Sequence, residues 1–202
     1  MNKEVLREAY VNTMSHYSPH LTHAVTLTFK MRALISPQDF SKCNSPRDDV
    51  WRSCRRYQSR YQWDAKPDLR EWRYLNEEVA ESTLRYFYSK LSFLAFGKDT
   101  KRISTKAFSK PLMITSVEGF ARGRRLHAHL AIGNLPRNID IRNVIERAWF
   151  SCDFANKQIK IVPLVNKAGW FSYIAKEIDL GRVDALQIQS IREPQSYLNP
   201  LA

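Results

Sequence analysis

Leu112-Met-Ile-Thr-Ser-Val-Glu-Gly-Phe120 and Leu126-His-Ala-His-Leu-Ala-Ile-Gly133 are two alternating runs joined by the charged connection Ala121-Arg-Gly-Arg-Arg125. Successive side chains in a strand point to opposite faces, so two such runs separated by a few turn residues predict a β-hairpin. On the second run His127 and His129 are two apart and share a face, while Leu126, Ala128 and Leu130 project from the other. With the turn around Arg122 to Arg124, the hairpin brings Glu118 across from the histidines. Two imidazoles and a carboxylate then make a facial donor set. Such a set suits Mg²⁺, Mn²⁺ or Zn²⁺ and leaves positions open for water or a phosphate oxygen. An isolated His-x-His is more often an ordinary strand feature than half a metal site, so its weight depends on what surrounds it.

Downstream lies Gly169-Trp-Phe-Ser-Tyr173-Ile-Ala-Lys176-Glu-Ile178, within a helix predicted over 167–178 and stopped at Leu180-Gly181. Phe171, Ile174 and Ile178 fall three to four apart and form its core face. Tyr173 and Lys176 share a flank beside it. Between hairpin and helix, residues 139–150 read as a helix capped by Asn138 or Asp140, and residues 158–164 as a strand.

Upstream, residues 3–14 suit a short amphipathic helix that breaks at Ser18-Pro19. His23-Ala-Val-Thr-Leu-Thr-Phe29 alternates as a half-buried strand. Residues 69–96 contain no Gly or Pro, and Trp72, Leu75, Val79, Leu84 and Phe87 recur at near-helical spacing. They predict one long helix ending near Gly97. The order strand, helix, strand, strand, helix, strand, helix predicts an α+β protein. Its expected architecture is a ferredoxin-like split βαβ with a central antiparallel sheet, an appended C-terminal helix and a basic helical insertion over 36–68.

The 202 residues suit one domain. A formal net charge of +12 with 12% aromatic residues points to a polyanionic partner that offers flat rings for stacking, which describes nucleic acid. No apolar run reaches the roughly 18 to 20 residues of a spanning helix, and the mean hydropathy is −0.46. No membrane partner is expected. The first 17 residues lack the continuous apolar stretch of a secretory signal, so a cytoplasmic location, nucleoid-associated when bound to DNA, is expected. Cys43, Cys54 and Cys152 form no CxxC pair and read as ordinary reduced thiols. In the insertion, Arg52, Arg55, Arg56 and Arg60 interleave with Trp51, Tyr57, Tyr61 and Trp63. With Arg122, Arg124 and Arg125 of the hairpin turn, these arginines are the candidate nucleic-acid contacts, against the plainer reading of a solvated charged helix.

In this combination and order the chain resembles the HUH endonucleases, specifically the single-tyrosine replication initiators of rolling-circle plasmids, phages and small single-stranded DNA viruses. Val25-Thr-Leu-Thr-Phe29 is similar to their first motif, Leu126-His-Ala-His-Leu-Ala-Ile132 to their His-hydrophobic-His strand, and Tyr173-Ile-Ala-Lys176 to their YxxK motif. The resemblance spans about Ala24 to Asp179. It implies the HUH fold, a divalent metal, Mg²⁺ or Mn²⁺, on His127, His129 and Glu118, and Tyr173 as nucleophile assisted by Lys176. It further implies nicking of a single-stranded or hairpin DNA origin through a 5′-phosphotyrosine, release of a priming 3′-OH, and rejoining as the reverse step. No GxxxxGK[ST] loop is present, so unwinding falls to a separate host or element-encoded helicase. Tyr57 and Tyr61 are four apart, as paired nucleophiles are, but they precede the His-x-His strand. Two rival readings share these residues: a single-tyrosine HUH transposase, and a non-catalytic basic nucleic-acid-binding module with incidental histidines.

Overall fold

The computed structural model of the protein describes residues 3–35, 71–97, 110–119 and 125–176. The elements in chain order are α1 (Lys3–His16), a 3₁₀ turn (Ser18–His20), β1 (Leu21–Phe29), β2 (Arg32–Ile35), β3 (Glu71–Tyr74), α2 (Glu77–Phe96), β4 (Leu112–Glu118), β5 (His127–Gly133), α3 (Ile141–Phe150), β6 (Ala155–Pro163) and α4 (Lys167–Ile174). The protein is α+β, as its sequence predicts. Its main sheet has the order β4-β5-β1-β6 with every neighbouring pair antiparallel. β1 and β4 therefore run parallel to each other with β5 inserted between them.

Alternation along these strands divides the interior in two. Val25, Leu27, Phe29, Met113, Val117, Ala128, Leu130 and Ile132 face α2 and α3. There Trp149 lies at the centre, meeting Phe29 and Phe87 edge-on at centroid distances of 5.2 and 5.9 Å. On the opposite face Ala24, Leu112, Ile114 and Ala131 pack with Tyr10 and Met14 of α1 and with Phe171 and Ile174 of α4. α4 can lie flat on the sheet because its apolar stripe meets small and aliphatic side chains there.

The far end of β5 is fixed by close approach. A Cβ on Gly133 would lie 1.8 Å from the His20 carbonyl oxygen, so only glycine fits. Asn134 follows with φ of 53°, its backbone N–H donating to His20 O at 3.2 Å and its side-chain amide to Lys110 O at 2.6 Å. Asp140 caps α3 by accepting from Asn143 N at 3.1 Å, one of the two capping residues expected.

Several boundaries differ from the sequence expectation. The long helix begins at Glu77, not near Leu69, because the Asn76 side chain accepts the Val79 N–H at 2.8 Å and terminates it. Residues 71–74 instead pair with 32–35 as a two-stranded ribbon, β2–β3, so Trp72 belongs to no helix and is 57% exposed. β6 starts at Ala155, earlier than position 158, since the strand continues to pair with β1 as far as Phe29. The last helix, α4, runs to Ile174 with Ala175 as its C-cap, Lys176 is helical again, and the rest of the predicted span to residue 178 lies outside the described residues. Ile178 and Gly181 lie outside the described residues, as does the 36–68 insertion with Arg52, Arg55, Arg56, Arg60, Tyr57 and Tyr61. Among the described residues no helix is long and apolar enough to cross a membrane.

The corrected start of α2 carries a test of sign. As an N-cap, Asn76 stabilises the fold, and Asn76→Ala is expected to cost about 1 kcal/mol in urea denaturation. Were residue 76 inside a helix running from 69, the same change would be stabilising, because Ala has the higher helix propensity.

Candidate active site

The register of β5 decides which side chains meet. His129 sits opposite Thr26 of β1 and Ser116 of β4, and His127 sits opposite Thr28 and Glu118. Directly opposed residues project from the same face. Thr26, Thr28, Ser116, Glu118, His127 and His129 thus form one polar patch, on the face that carries α4.

Within this patch Glu118 turns toward His129, the diagonal neighbour of its register partner. Glu118 Oε1 is 3.4 Å from His129 Nε2, and Oε2 is 3.1 Å from Lys176 Nζ. The first contact is close but lacks hydrogen-bond geometry, leaving Oε1 buried with no hydrogen-bond donor among the described residues. The other imidazole nitrogen of His129, Nδ1, lies 3.1 Å from Thr26 Oγ1. That bond fixes the ring plane and directs Nε2 at the carboxylate.

Tyr173 reaches the patch from α4. Phe171 and Ile174 are fully buried beneath the helix, and the intervening geometry leaves Tyr173 on its flank, 42% exposed. Its ring is held on three sides. Trp170, one turn earlier, stacks on it at 5.5 Å with planes 22° apart. The Lys176 ammonium lies 3.6 Å from its centroid, and His129 meets it edge-on at 5.1 Å. Trp170 also meets His129 edge-on, at 5.8 Å.

Two local devices seat α4. Asn166 caps it by accepting the Gly169 N–H at 2.9 Å, and a Cβ on Gly169 would strike that same amide at 2.6 Å. At its other end the buried Ser116 hydroxyl donates to Ile174 O at 3.1 Å, tying the helix directly to β4.

The electrostatics follow from this packing. Burial opposes the charge on Glu118, but His129 and Lys176 together outweigh it and hold its pKa below the ordinary carboxylate value. Burial likewise opposes the charge on Lys176, and Tyr173 and Glu118 outweigh it, raising its pKa. His127 is pushed down, by burial first and by the neighbouring His129 second, toward the neutral form that can donate a lone pair. Elsewhere, burial raises the Cys152 thiol to about 12, in keeping with an inert structural cysteine.

Of the residues singled out in the sequence, Glu118, His129, Tyr173 and Lys176 come together. His127 shares their face with its ring parallel to His129 at 6.5 Å. The three expected metal ligands do not converge on one point: among the described residues no three His, Cys, Asp or Glu side chains are gathered as a metal-binding group. Their donor chemistry nonetheless fits a divalent cation. Among the described residues Oε1 of Glu118 has no competing hydrogen-bond donor, because Oε2 takes the lysine, and Nε2 of His129 is already beside it. Arg125 is exposed and donates to Gln158 Oε1 at 2.9 Å. Arg122 and Arg124 lie outside the described residues.

Sequence reasoning missed Thr26, Ser116 and Trp170. The first two were legible as polar positions on strands whose alternate residues are apolar. Trp170 was legible as the residue three before Tyr173, hence on the same helical stripe. Comparison of the chain with protein-family models, with curated proteins and with solved structures gave no match.

The Glu118–Lys176 pair gives a pH test. A carboxylate whose folded pKa is depressed adds stability above its unfolded pKa, and that stability is lost as pH falls through the folded value. Lys176→Met is therefore expected to lower the urea midpoint at pH 7. The gap to the unaltered protein should begin to narrow as pH falls below about 4.5 and close as pH passes through the lowered folded value, where Glu118 takes up its proton in the folded protein as well. A gap that stays constant down to pH 3 would mean the lysine contributes packing rather than charge.

Proposed function

We propose that this protein is a single-tyrosine HUH-type endonuclease on a ferredoxin-like split βαβ scaffold, which cuts and rejoins one DNA strand through Tyr173. One observation carries the reading: Glu118, His129, Tyr173 and Lys176 stand in one contiguous chain of contacts although β4, β5 and α4 are separated in sequence. A packing role alone gives no reason for an exposed phenol, a lysine and a carboxylate to gather beside a histidine face. Their charges suit a reaction at a phosphodiester.

In that reaction the Tyr173 oxygen attacks the scissile phosphorus, the new O–P bond forms, and the bond from phosphorus to the 3′ oxygen breaks. The phenol proton is lost to solvent, and the departing 3′ oxygen takes one up. The products are a 5′-phosphotyrosine and a free 3′-OH. One phosphodiester replaces another, so the step runs in reverse with little change in energy, which allows rejoining. Lys176 stabilises the negative charge that develops at the phenol and phosphate oxygens. Trp170 restricts the rotation of the Tyr173 ring, so less orientational freedom is lost on the way to the transition state. Thr26 orients His129. His127, His129 and Glu118 are the residues that would hold Mg²⁺ or Mn²⁺, whose chemistry when bound is Lewis-acid polarisation of the phosphate.

The substrate is a single-stranded or hairpin DNA origin, consistent with the net charge of +12. Initiation of rolling-circle replication, with a separate helicase, is the biological role we assign. In a pool of single-stranded oligonucleotides with Mn²⁺, the protein is expected to form an SDS-resistant adduct. His129→Ala should reduce adduct yield by at least about 100-fold while leaving most of the salt-sensitive binding. Binding of the pool without any adduct from the unaltered protein would leave a basic nucleic-acid-binding module as the better description.

A further inference from the structure

The β2–β3 ribbon is two-faced. Arg32 pairs with Tyr74 and Leu34 with Trp72, so these four side chains share one face, while Ala33 and Ile35 project from the other. Ala33 and Ile35 are buried in the same core as residues of α2 and α3, which anchors the ribbon. The other face is open: Trp72 is 57%, Tyr74 70% and Leu34 38% exposed. Two aromatic rings on four-residue strands are costly to leave in water for structural reasons alone, since the ribbon's inner face already supplies its burial. The Arg32 guanidinium lies 4.7 Å above the Trp72 ring, so the face is cationic as well as aromatic.

The ribbon also leaves the sheet at the candidate site. Thr28 of β1 pairs with His127, the Phe29 N–H donates to Leu126 O, and the Leu75 N–H closes the ribbon base on Met31 O. Arg32 is four residues beyond Thr28, at most about 14 Å of extended chain.

We propose that the Arg32, Leu34, Trp72 and Tyr74 face is a stacking platform for one or two unpaired bases of the nucleic-acid strand next to the bond that is cut. Its footprint selects this occupant. Four residues by two strands cover about 13 by 10 Å, far below the roughly 800 Å² per partner of a stable protein interface. A strand of nucleic acid needs only a ring per base and a cation per phosphate, which this face offers. The inference rests on the nuclease reading for the identity of the strand, but the platform itself is a binding surface and can be tested by binding.

The test compares the unaltered protein, Trp72→Ala and the double variant Trp72→Ala, Tyr74→Ala. Both side chains are exposed, and circular dichroism with thermal melting establishes that the variants fold. Affinity for single-stranded oligonucleotides of graded length and adduct yield at saturating oligonucleotide with Mn²⁺ are then measured. We expect each ring removed to weaken binding about 5- to 150-fold, and the double variant to lose the affinity gained on lengthening the oligonucleotide on one side of the cut. Adduct yield at saturation should be unchanged. Unaltered affinity at every length, with adduct still formed, overturns the platform and leaves the nuclease reading standing. Weakened binding by a protein that forms no adduct keeps the platform and removes the nuclease reading. A concentration-dependent dimer of the unaltered protein that the variants abolish, with oligonucleotide affinity untouched, also overturns the proposal, in favour of self-association.

Discussion

The register of β5 between β1 and β4 is the constraint on which both the core and the candidate site depend. Ala128, Leu130 and Ile132 are completely buried on one face, and His127, His129 and Ala131 lie on the other. A slip of one residue would exchange the two sets, exposing leucine and isoleucine to the polar patch and driving imidazoles into the Trp149 core. Burying one large aliphatic side chain is worth about 1.5 to 3 kcal/mol, comparable to a good part of a domain's net stability. Packing of the apolar set therefore holds the histidines in place. Gly133 and Asn134 add a stop at the far end, where the chain passes too close to His20 for any side chain.

The site is assembled across this sheet rather than within a loop. β1 supplies Thr26, β4 supplies Ser116 and Glu118, β5 supplies the histidines, and α4 brings Trp170 and Tyr173, with Lys176 just beyond its C-cap. Glu118 is the junction. One of its oxygens holds Lys176, just past the C-cap of α4, and the other stands beside His129, so a single carboxylate couples the strand residues to the end of the helix. Ser116 reinforces the same joint through the Ile174 carbonyl. The exposed ring of Tyr173 is thereby confined without being buried, which lets a group remain reachable while its conformation is restricted.

Much of this was readable from spacing alone. The hairpin, the shared face of His127 and His129, the approach of Glu118 and the exposed flank of Tyr173 all follow from the periods of two and 3.6. The β2–β3 ribbon was not. Trp72 and Leu75 happen to continue the helical spacing of Val79, and periodicity cannot see that the apolar residue at 72 faces water. Asn76 followed by Glu77 and Glu78 was the overlooked signal, a cap with acidic residues in the first turn. The Lys176 ammonium also lies over the Tyr173 ring, bound to Glu118. Such a three-way contact between a helix and a strand more than fifty residues apart depends on side-chain rotamers, which no sequence period encodes.

The central claim is that Tyr173 forms a bond to phosphorus, and peptide mass spectrometry of the covalent product tests it most directly. Trypsin releases Ala168–Lys176, in which Tyr173 is the sole tyrosine. After nuclease trimming of the attached strand, the account predicts this peptide carrying a nucleotide through the phenol oxygen. The nucleotide on a peptide containing Tyr57 or Tyr61, or cleaved DNA with no peptide attached, would contradict it.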